Sequence, residues 1–267
     1  MNRKQIVAIV LIKNEDLFIK KVLENILVFC DRVYVADNRS TDQTPQIIKG
    51  LAEQHGKIEY RCVDHIPESH DMIADYAGTE TWMIGVDGDE VYDPEGLRHL
   101  REDLFNGRYD NYFKISGNVL HVRQLDIPNQ TARGYLTPPC RSVTKLYNFN
   151  AIHAWRPPCP ERLHGGSVDF KPGFSHESVG FIMNDYAWES SPFRCLHLCF
   201  THRSSIDVAR KSSKVRIRKG VGERLLWRYN LRSWIKSFFG YEDIPLFKRD
   251  YYMRGSMVEK NIQAFGL

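Results

Sequence analysis

Residues 81–94 read TWMIGVDGDEVYDP. A short apolar run, Trp82-Met83-Ile84-Gly85-Val86, stops at three acids within four positions, Asp87, Asp89 and Glu90. A run of this length ended by a turn signal predicts a strand covered on both faces, and Asp-Gly is a common turn dipeptide. A buried strand is thus driven into a cluster of negative charge, and buried charge is costly unless it is paired or holds a metal.

The pattern recurs upstream. QIVAIVLI (5–12) is a continuous β-branched run and predicts a first buried strand. EDLFIKKVLENILVFC (15–30) follows, with Leu17, Ile19, Val22, Leu23, Ile26 and Leu27 at helical spacing. DRVYVAD (31–37) predicts a second strand, and KIEYRCVD (57–64) a third. Between them, STDQTPQIIKGLAEQHG (40–56) predicts a helix with capping residues at its start and Gly56 at its end. IADYAGTE (73–80) reads as the close of another helix. Strands alternating with helices predict βαβ units and a mostly parallel sheet. In such sheets ligands sit beyond the carboxyl ends of the strands. One crevice should therefore collect Lys13, Asn14 and Glu15, then Asp37 and Asn38, then Asp64 and His65, then Asp87, Gly88, Asp89 and Glu90. The expected class is α/β, a Rossmann-like, mostly parallel central sheet with flanking helices and a basic helical C-terminal segment.

Composition agrees with a globular chain: 42% of the 267 residues are hydrophobic and 26% charged. No apolar run approaches the roughly 18 residues of a membrane-spanning helix. MNRKQIVAIVLIKNED (1–16) has too short an apolar run, and no small-residue cleavage site, for a signal peptide. The cytoplasm is the expected location. Six cysteines without a CxxC pair predict free thiols. Cys195 and Cys199 flank His197 but lack a second ligand pair for zinc. The net charge is a mild +4, yet bases concentrate after His202 and acids in the first ninety residues. That asymmetry predicts an acidic partner for the C-terminal part.

Two carboxylates separated by one small residue can hold Mg²⁺ or Mn²⁺ from one side, with phosphate oxygens completing the shell. Gly88 between them would let a ligand approach the backbone closely. Alone, DGDE is better explained by a turn. Two further segments accompany it: Lys13-Asn14-Glu15 after the first strand, and Asp37-Asn38-Arg39-Ser40-Thr41-Asp42-Gln43-Thr44 after the second. In this order and spacing, over the first 95 residues, the three segments resemble the motifs of family-2 glycosyltransferases with the GT-A fold. The resemblance implies that Asp37 contacts the nucleotide base and that Glu15 shapes the nucleotide pocket, with Asn14, Asn38, Asp64 and Gly88 around it. Asp87 would lie near ribose and metal, and Asp89 would bind the metal through the diphosphate. Where relatives carry Arg-Asn, this chain has Ser69-His70-Asp71.

Beyond residue 95 the pattern loosens. NYFKISGNVLHV (111–122), TKLYNF (144–149) and FRCLHLCFTH (193–202) predict strands, and the Pro-rich AWRPPCPERLHGG (154–166) predicts a loop. One branch of the family, which includes lipopolysaccharide-core and other bacterial surface-glycan transferases, carries W-x-x-x-V-H-E-x-L and later H-x-x-Y. Trp155, Glu161 and Leu163 match the first, with Pro160 in place of His. HLCF (197–200) resembles the second, with Phe for Tyr. An inverting single displacement needs one general base for the acceptor hydroxyl. Glu161 is the first candidate, Glu177 of SHES (175–178) the second, and Asp169 and Asp185 remain. His197 is either a core residue or, by family position, a ligand of the metal or diphosphate.

The segments 210–220 and 223–240 are dense in Arg and Lys, the second with interleaved aromatics. A packed helix with a solvated face, docking on a membrane surface and nucleic-acid binding are the three readings. Residues 1–202 are expected to form the catalytic domain, with 1–95 its nucleotide half and 96–202 its acceptor half. Residues 203–267 should form an extension packed on it. The expected function is metal-dependent, inverting transfer from a nucleotide sugar, in the first place a UDP-sugar, to a glycan or lipid-linked acceptor. This would take place in the cytoplasm or at the inner face of the membrane. The alternatives are a non-catalytic nucleotide-sugar or glycan-binding domain, and a glycosyltransferase acting on nucleic acid.

Overall fold

The computed structural model describes residues 3–209 and 246–267. In chain order the first half runs β1 (Gln5–Ile12), α1 (Ile19–Ile26), β2 (Arg32–Asp37), α2 (Thr44–Gln54), β3 (Ile58–Cys62), α3 (Glu68–Asp71), β4 (Thr81–Asp87), β5 (Glu90–Tyr92) and α4 (Pro94–Phe105). The second half runs β6 (Lys114–Ser116), β7 (Asn118–Asp126), β8 (Thr131–Leu136), β9 (Lys145–Asn148), β10 (Ile152–Arg156), β11 (Ser167–Phe170), β12 (Val179–Phe181), α5 (Ile182–Asp185), β13 (Arg194–His197), α6 (Ser205–Ala209), α7 (Leu246–Tyr252) and β14 (Met257–Asn261).

Seven strands form the main sheet in the order β12-β6-β9-β4-β1-β2-β3. β3, β2, β1 and β4 are mutually parallel, and β9 is antiparallel to both its neighbours. β1 lies between two strands and is buried along nearly its whole length. Its alternate residues feed two cores. Ile6, Ala8, Val10 and Ile12 pack with Val22 and Leu23 of α1 and Leu97 and Leu100 of α4. Val7, Ile9 and Leu11 pack on the other face with Met83, Phe149, Trp155 and Leu163. α1 buries Ile19, Val22, Leu23 and Ile26, the spacing of one helical face. α4 starts where Asp93 accepts a hydrogen bond from the Glu95 amide at 3.0 Å, with Pro94 in the first turn.

A second sheet has the order β14-β8-β7-β13-β5. Between β4 of the first sheet and β5 of the second lie only Gly88 and Asp89, so the acidic cluster is the corner where the chain changes sheets. The GT-A architecture expected from the motifs is the one observed.

Several local expectations are corrected. The helix expected to close over 73–80 is a four-residue α3 followed by a 3₁₀ turn at Ala74–Tyr76. The late strand ends at His197, because the Leu198 amide turns to the Asp89 carbonyl at 2.8 Å. The described C-terminal part is not helical throughout: β14 pairs antiparallel with β8, and Phe265 is fully buried. The basic stretches 210–220 and 223–240 fall outside the described residues. No helix among the described residues is long and apolar enough to cross a membrane.

Candidate active site

Parallel register sets the site. Leu11 and Ile12 at the end of β1 pair with Asp87 and Asp37 respectively. The two acids thus sit at one level, two strand spacings or about 10 Å apart. Glu15 comes off the same end of β1, and Asp89 lies just past β4.

The two acids of the DGD segment have different surroundings. Asp87 Oδ2 accepts from Lys145 Nζ at 2.9 Å, and its Oδ1 is held by the fully buried Arg162 guanidinium. Lys145 and Arg162 keep the Asp87 carboxyl well below the usual range against the opposing effect of burial. Asp89 is buried and accepts from Arg203 Nη1 at 2.9 Å, with His197 Nε2 3.8 Å from the same oxygen. Burial would raise its carboxyl, but Arg203 and then His197 hold it down. Asp87, expected beside the metal, has both oxygens on cationic side chains.

Glu15 is buried. Its Oε1 lies 3.1 Å from the same Arg203 nitrogen, and its Oε2 has no partner. Burial raises its carboxyl well above the ordinary value, with Arg203 opposing and Asp89, Asp87 and Asp42 adding to the rise. Glu90 is fully buried behind this row, 3.3 Å from both Lys145 Nζ and the Tyr92 hydroxyl, and burial pushes it up to about 8. Burial likewise pushes His197 down to about 4.

These contacts test whether a divalent cation suits the site. One nitrogen of Arg203 lies 2.9 Å from Asp89 Oδ2 and 3.1 Å from Glu15 Oε1, His197 Nε2 lies 3.8 Å from the same Asp89 oxygen, and Glu15 Oε2 has no partner. Carboxylate oxygens with one imidazole suit Mn²⁺ or Mg²⁺. Asp89 Oδ2 and His197 Nε2, 3.8 Å apart, are donors of the kind such an ion takes, while Glu15 meets Asp89 only through Arg203.

Gly88 makes room for a neighbouring side chain. A Cβ there would meet Glu15 Cγ at 2.6 Å and Glu15 Cβ at 2.9 Å, so the glycine makes room for Glu15. Gly85 does the same for the far wall, where a Cβ would meet Leu163 Cδ1 at 2.9 Å and Lys145 Cδ at 3.2 Å. Gly88→Ala is expected to cost about 1–3 kcal/mol by overpacking and to displace Glu15. Denaturant unfolding checks it, and an unchanged midpoint would mean that Glu15 is not wedged there.

The nucleotide end is built by the loop after β2. Asp37 is almost fully buried. Its Oδ1 accepts from the Ser40 amide at 2.9 Å and hydroxyl at 2.6 Å, and its Oδ2 from the Tyr60 hydroxyl at 2.8 Å. A base contact by Asp37 would have to share these bonds, so in this structure Asp37 is first a loop organiser. Asn14, at φ 54°, accepts from the Thr41 amide at 2.7 Å. Asn38 Nδ2 reaches the Val63 and Asp64 carbonyls at 3.4 and 3.3 Å, while Lys13 Nζ donates to the Asn38 carbonyl at 2.8 Å. Asp64 lies on the exposed lip, bonded to Arg39 Nε at 2.7 Å. Asp42 ties the loop to the far side of the site by accepting from the Ser204 hydroxyl at 2.6 Å.

The base candidates separate by position. Glu161 is half-buried and next to Arg162, whose guanidinium reaches Asp87. Among the described residues nothing hydrogen-bonds its carboxylate. Glu177 is exposed, bonded to Ser175, and just precedes β12. Through β6 and β9, Val179 is level with Met83, near the amino end of β4 and three strands away. The structure thus puts Glu177 at the wrong end of the sheet, a correction to its candidacy. Asp169 is paired with Arg156 at 3.2 Å on the β10–β11 hairpin.

Sequence reasoning missed Lys145, Arg162 and His121. Arg162 stands beside Glu161 in the matched segment, which was its one available signal. Lys145 and His121 lie in strands whose partners no local pattern reveals.

A family model described as Glycosyl transferase family 2 matches residues 7–167, more than half of the chain. The uncharacterized glycosyltransferase RP128 of Rickettsia prowazekii (strain Madrid E) is 26% identical over 145 residues, which are 54% of this chain and 47% of that protein. The chain thus spans about half the length of this curated relative. Among solved structures, TarS of S. aureus has a TM-score of 0.36 at 20% identity, over 54% of this chain and 28% of its own. The mannosyltransferase PcManGT of Pyrobaculum calidifontis, in complex with GDP-Man and Mn²⁺, has a TM-score of 0.33 at 20% identity, over 46% and 36%.

Proposed function

The chain belongs to glycosyl transferase family 2, and from that premise we propose that it moves a sugar from a nucleotide-sugar donor to a glycan hydroxyl by one inverting displacement with a divalent cation. The observation that carries this reading is that Asp89 and Glu15 share one Arg203 nitrogen, with His197 3.8 Å from Asp89, at the carboxyl ends of the parallel strands.

The residues divide the work as follows. The loop of Asp37, Asn38 and Ser40, braced by Asn14, forms the nucleotide end, with Asp64 on its lip. Asp87 is kept ionised by Lys145 and Arg162, and its remaining exposure faces the donor's ribose. Asp89 and His197, with Glu15 nearby, would hold Mn²⁺ or Mg²⁺, whose charge would neutralise the diphosphate as it leaves. Arg203, now between Glu15 and Asp89, would offer its charge to the diphosphate. Glu161 takes the proton of the acceptor hydroxyl as that oxygen attacks the anomeric carbon. A UDP-sugar is the first donor to test. An acceptor from surface-polysaccharide or lipopolysaccharide synthesis is the matching glycan class, with contact to a membrane surface through 223–240.

The test is a thermal-shift panel of nucleotide diphosphates and nucleotide sugars with and without Mn²⁺. A matching donor at a hundred times its Kd stabilises the fold by about 2.7 kcal/mol. Stabilisation by no nucleotide in either condition rejects the proposal. Glu161→Gln should keep the donor shift and lower transfer by about 10²–10⁴-fold. Equal turnover in that variant would remove Glu161 as the base. If the panel shows donor binding while the wild-type chain neither transfers nor hydrolyses the sugar, the non-catalytic binding reading wins.

A further inference from the structure

We propose that His121 is a positioning residue, which accepts a hydrogen bond from His197 and so turns the bare Nε2 of His197 toward Asp89. The parallel register of β7 and β13 sets His121 directly beside His197, while Glu90 of β5 flanks His197 on its other side. The two rings meet edge to face, with centroids 5.0 Å apart and their Nδ1 atoms 2.8 Å apart. His121 Nε2 lies 2.9 Å from the Arg141 carbonyl oxygen. Tyr252 stacks on the His121 ring at 4.5 Å and meets the His197 ring edge-on at 5.2 Å.

Counting protons settles the direction of the bond. A carbonyl oxygen only accepts, so His121 Nε2 carries a hydrogen. His121 is fully buried, and its neighbours in this contact set are a carbonyl, an imidazole and an aromatic ring, so an imidazolium there would be an uncompensated charge. A neutral imidazole has one N–H, which makes His121 Nδ1 an acceptor. His197 Nδ1, at hydrogen-bond distance, must then be the donor. That leaves His197 Nε2 without a hydrogen, 3.8 Å from the Asp89 carboxylate. A lone pair and a carboxylate that face each other are reconciled by a cation held between them. The partner of one ring nitrogen thus selects the tautomer that frees the other as a ligand.

The tautomer stands on geometry alone; its consequence for the cation rests on the function proposed above. Long-range ¹H–¹⁵N correlation spectra of the histidines in the full chain test the first part. The expected pattern is Nε2–H at His121 and Nδ1–H at His197. Nε2–H at His197 in the wild type overturns the proposal whether or not a metal binds. So does stoichiometric zinc in the purified protein on His121, His197 and Cys199, whose ligand atoms lie within 4.8 Å of one another.

Mn²⁺ binding, followed by electron paramagnetic resonance of the free ion, tests the second part. His121→Phe is expected to weaken Mn²⁺ by about 10–100-fold with no change in metal-free nucleotide binding. His121→Gln, whose amide can accept from His197 and donate to Arg141, is expected to recover most of the loss. Equal Mn²⁺ affinity in wild type and His121→Phe overturns the positioning role. The expected tautomers with no Mn²⁺ bound by the wild type refute the cation ligands themselves.

Discussion

Asp89→Asn is expected to lower metal-dependent transfer about a thousandfold, the rate equivalent of about 4 kcal/mol, while the fold survives. The substitution preserves volume and removes charge where Asp89 meets His197 and the Arg203 nitrogen that Glu15 shares. Glu15 is a poor substitute as the anchoring charge, because burial holds its carboxyl above the ordinary value. Stability should change little, by about 1 kcal/mol, because Arg203 keeps its contact with Glu15 at 3.1 Å. The measurement is turnover against Mn²⁺ concentration, with a thermal melt alongside. A variant with wild-type turnover and an unchanged Mn²⁺ dependence would remove Asp89 from the metal and with it the proposed mechanism. Asp87→Asn should behave differently: its loss should appear in stability and donor affinity more than in the Mn²⁺ dependence.

Arg162→Met is expected to destabilise the protein by about 3 kcal/mol, within the range for breaking a buried ion pair. Arg162 is fully buried and donates to the Val86 carbonyl at 3.1 Å as well as to Asp87. Methionine fills part of the volume but leaves Asp87 with Lys145 alone, so the cost is that of an under-compensated charge at the end of β4. For a chain of this size the fall in Tm would be about 6–12 °C. The comparison that isolates charge from volume is Arg162→Met combined with Asp87→Asn, which should recover part of the loss. If the double variant is no more stable than Arg162→Met, the guanidinium acts through packing of the 157–166 loop and not through Asp87.

Both results depend on a division of labour within one short segment. Asp87 and Asp89 are separated by one residue, yet the first faces Lys145 and Arg162 and the second faces Arg203 and His197. The corner between the two sheets produces this split. β4 ends at Asp87, the chain turns at Gly88 beneath Glu15, and β5 begins at Glu90 in another sheet. Three cationic side chains from distant positions in the chain then balance acids that a strand end alone would leave exposed to mutual repulsion.

Apolar runs and their spacing were enough to identify the four parallel strands, the two helices that follow the first and second of them, and the strand ends from which Glu15, Asp37, Asp87 and Asp89 come. The reason is physical: a strand covered on both faces must be apolar along its length, and its first polar residues mark where it leaves the core. Pairings between residues far apart in the chain left no such trace. That His121 lies beside His197, that Lys145 reaches Asp87, and that Glu177 lies at the amino end of the sheet follow from strand order and register, and Arg162 reaches Asp87 from the loop between β10 and β11. These are set by how distant segments pack together, and the short strands β5, β6, β12 and β13 carry too few residues to show a period of their own.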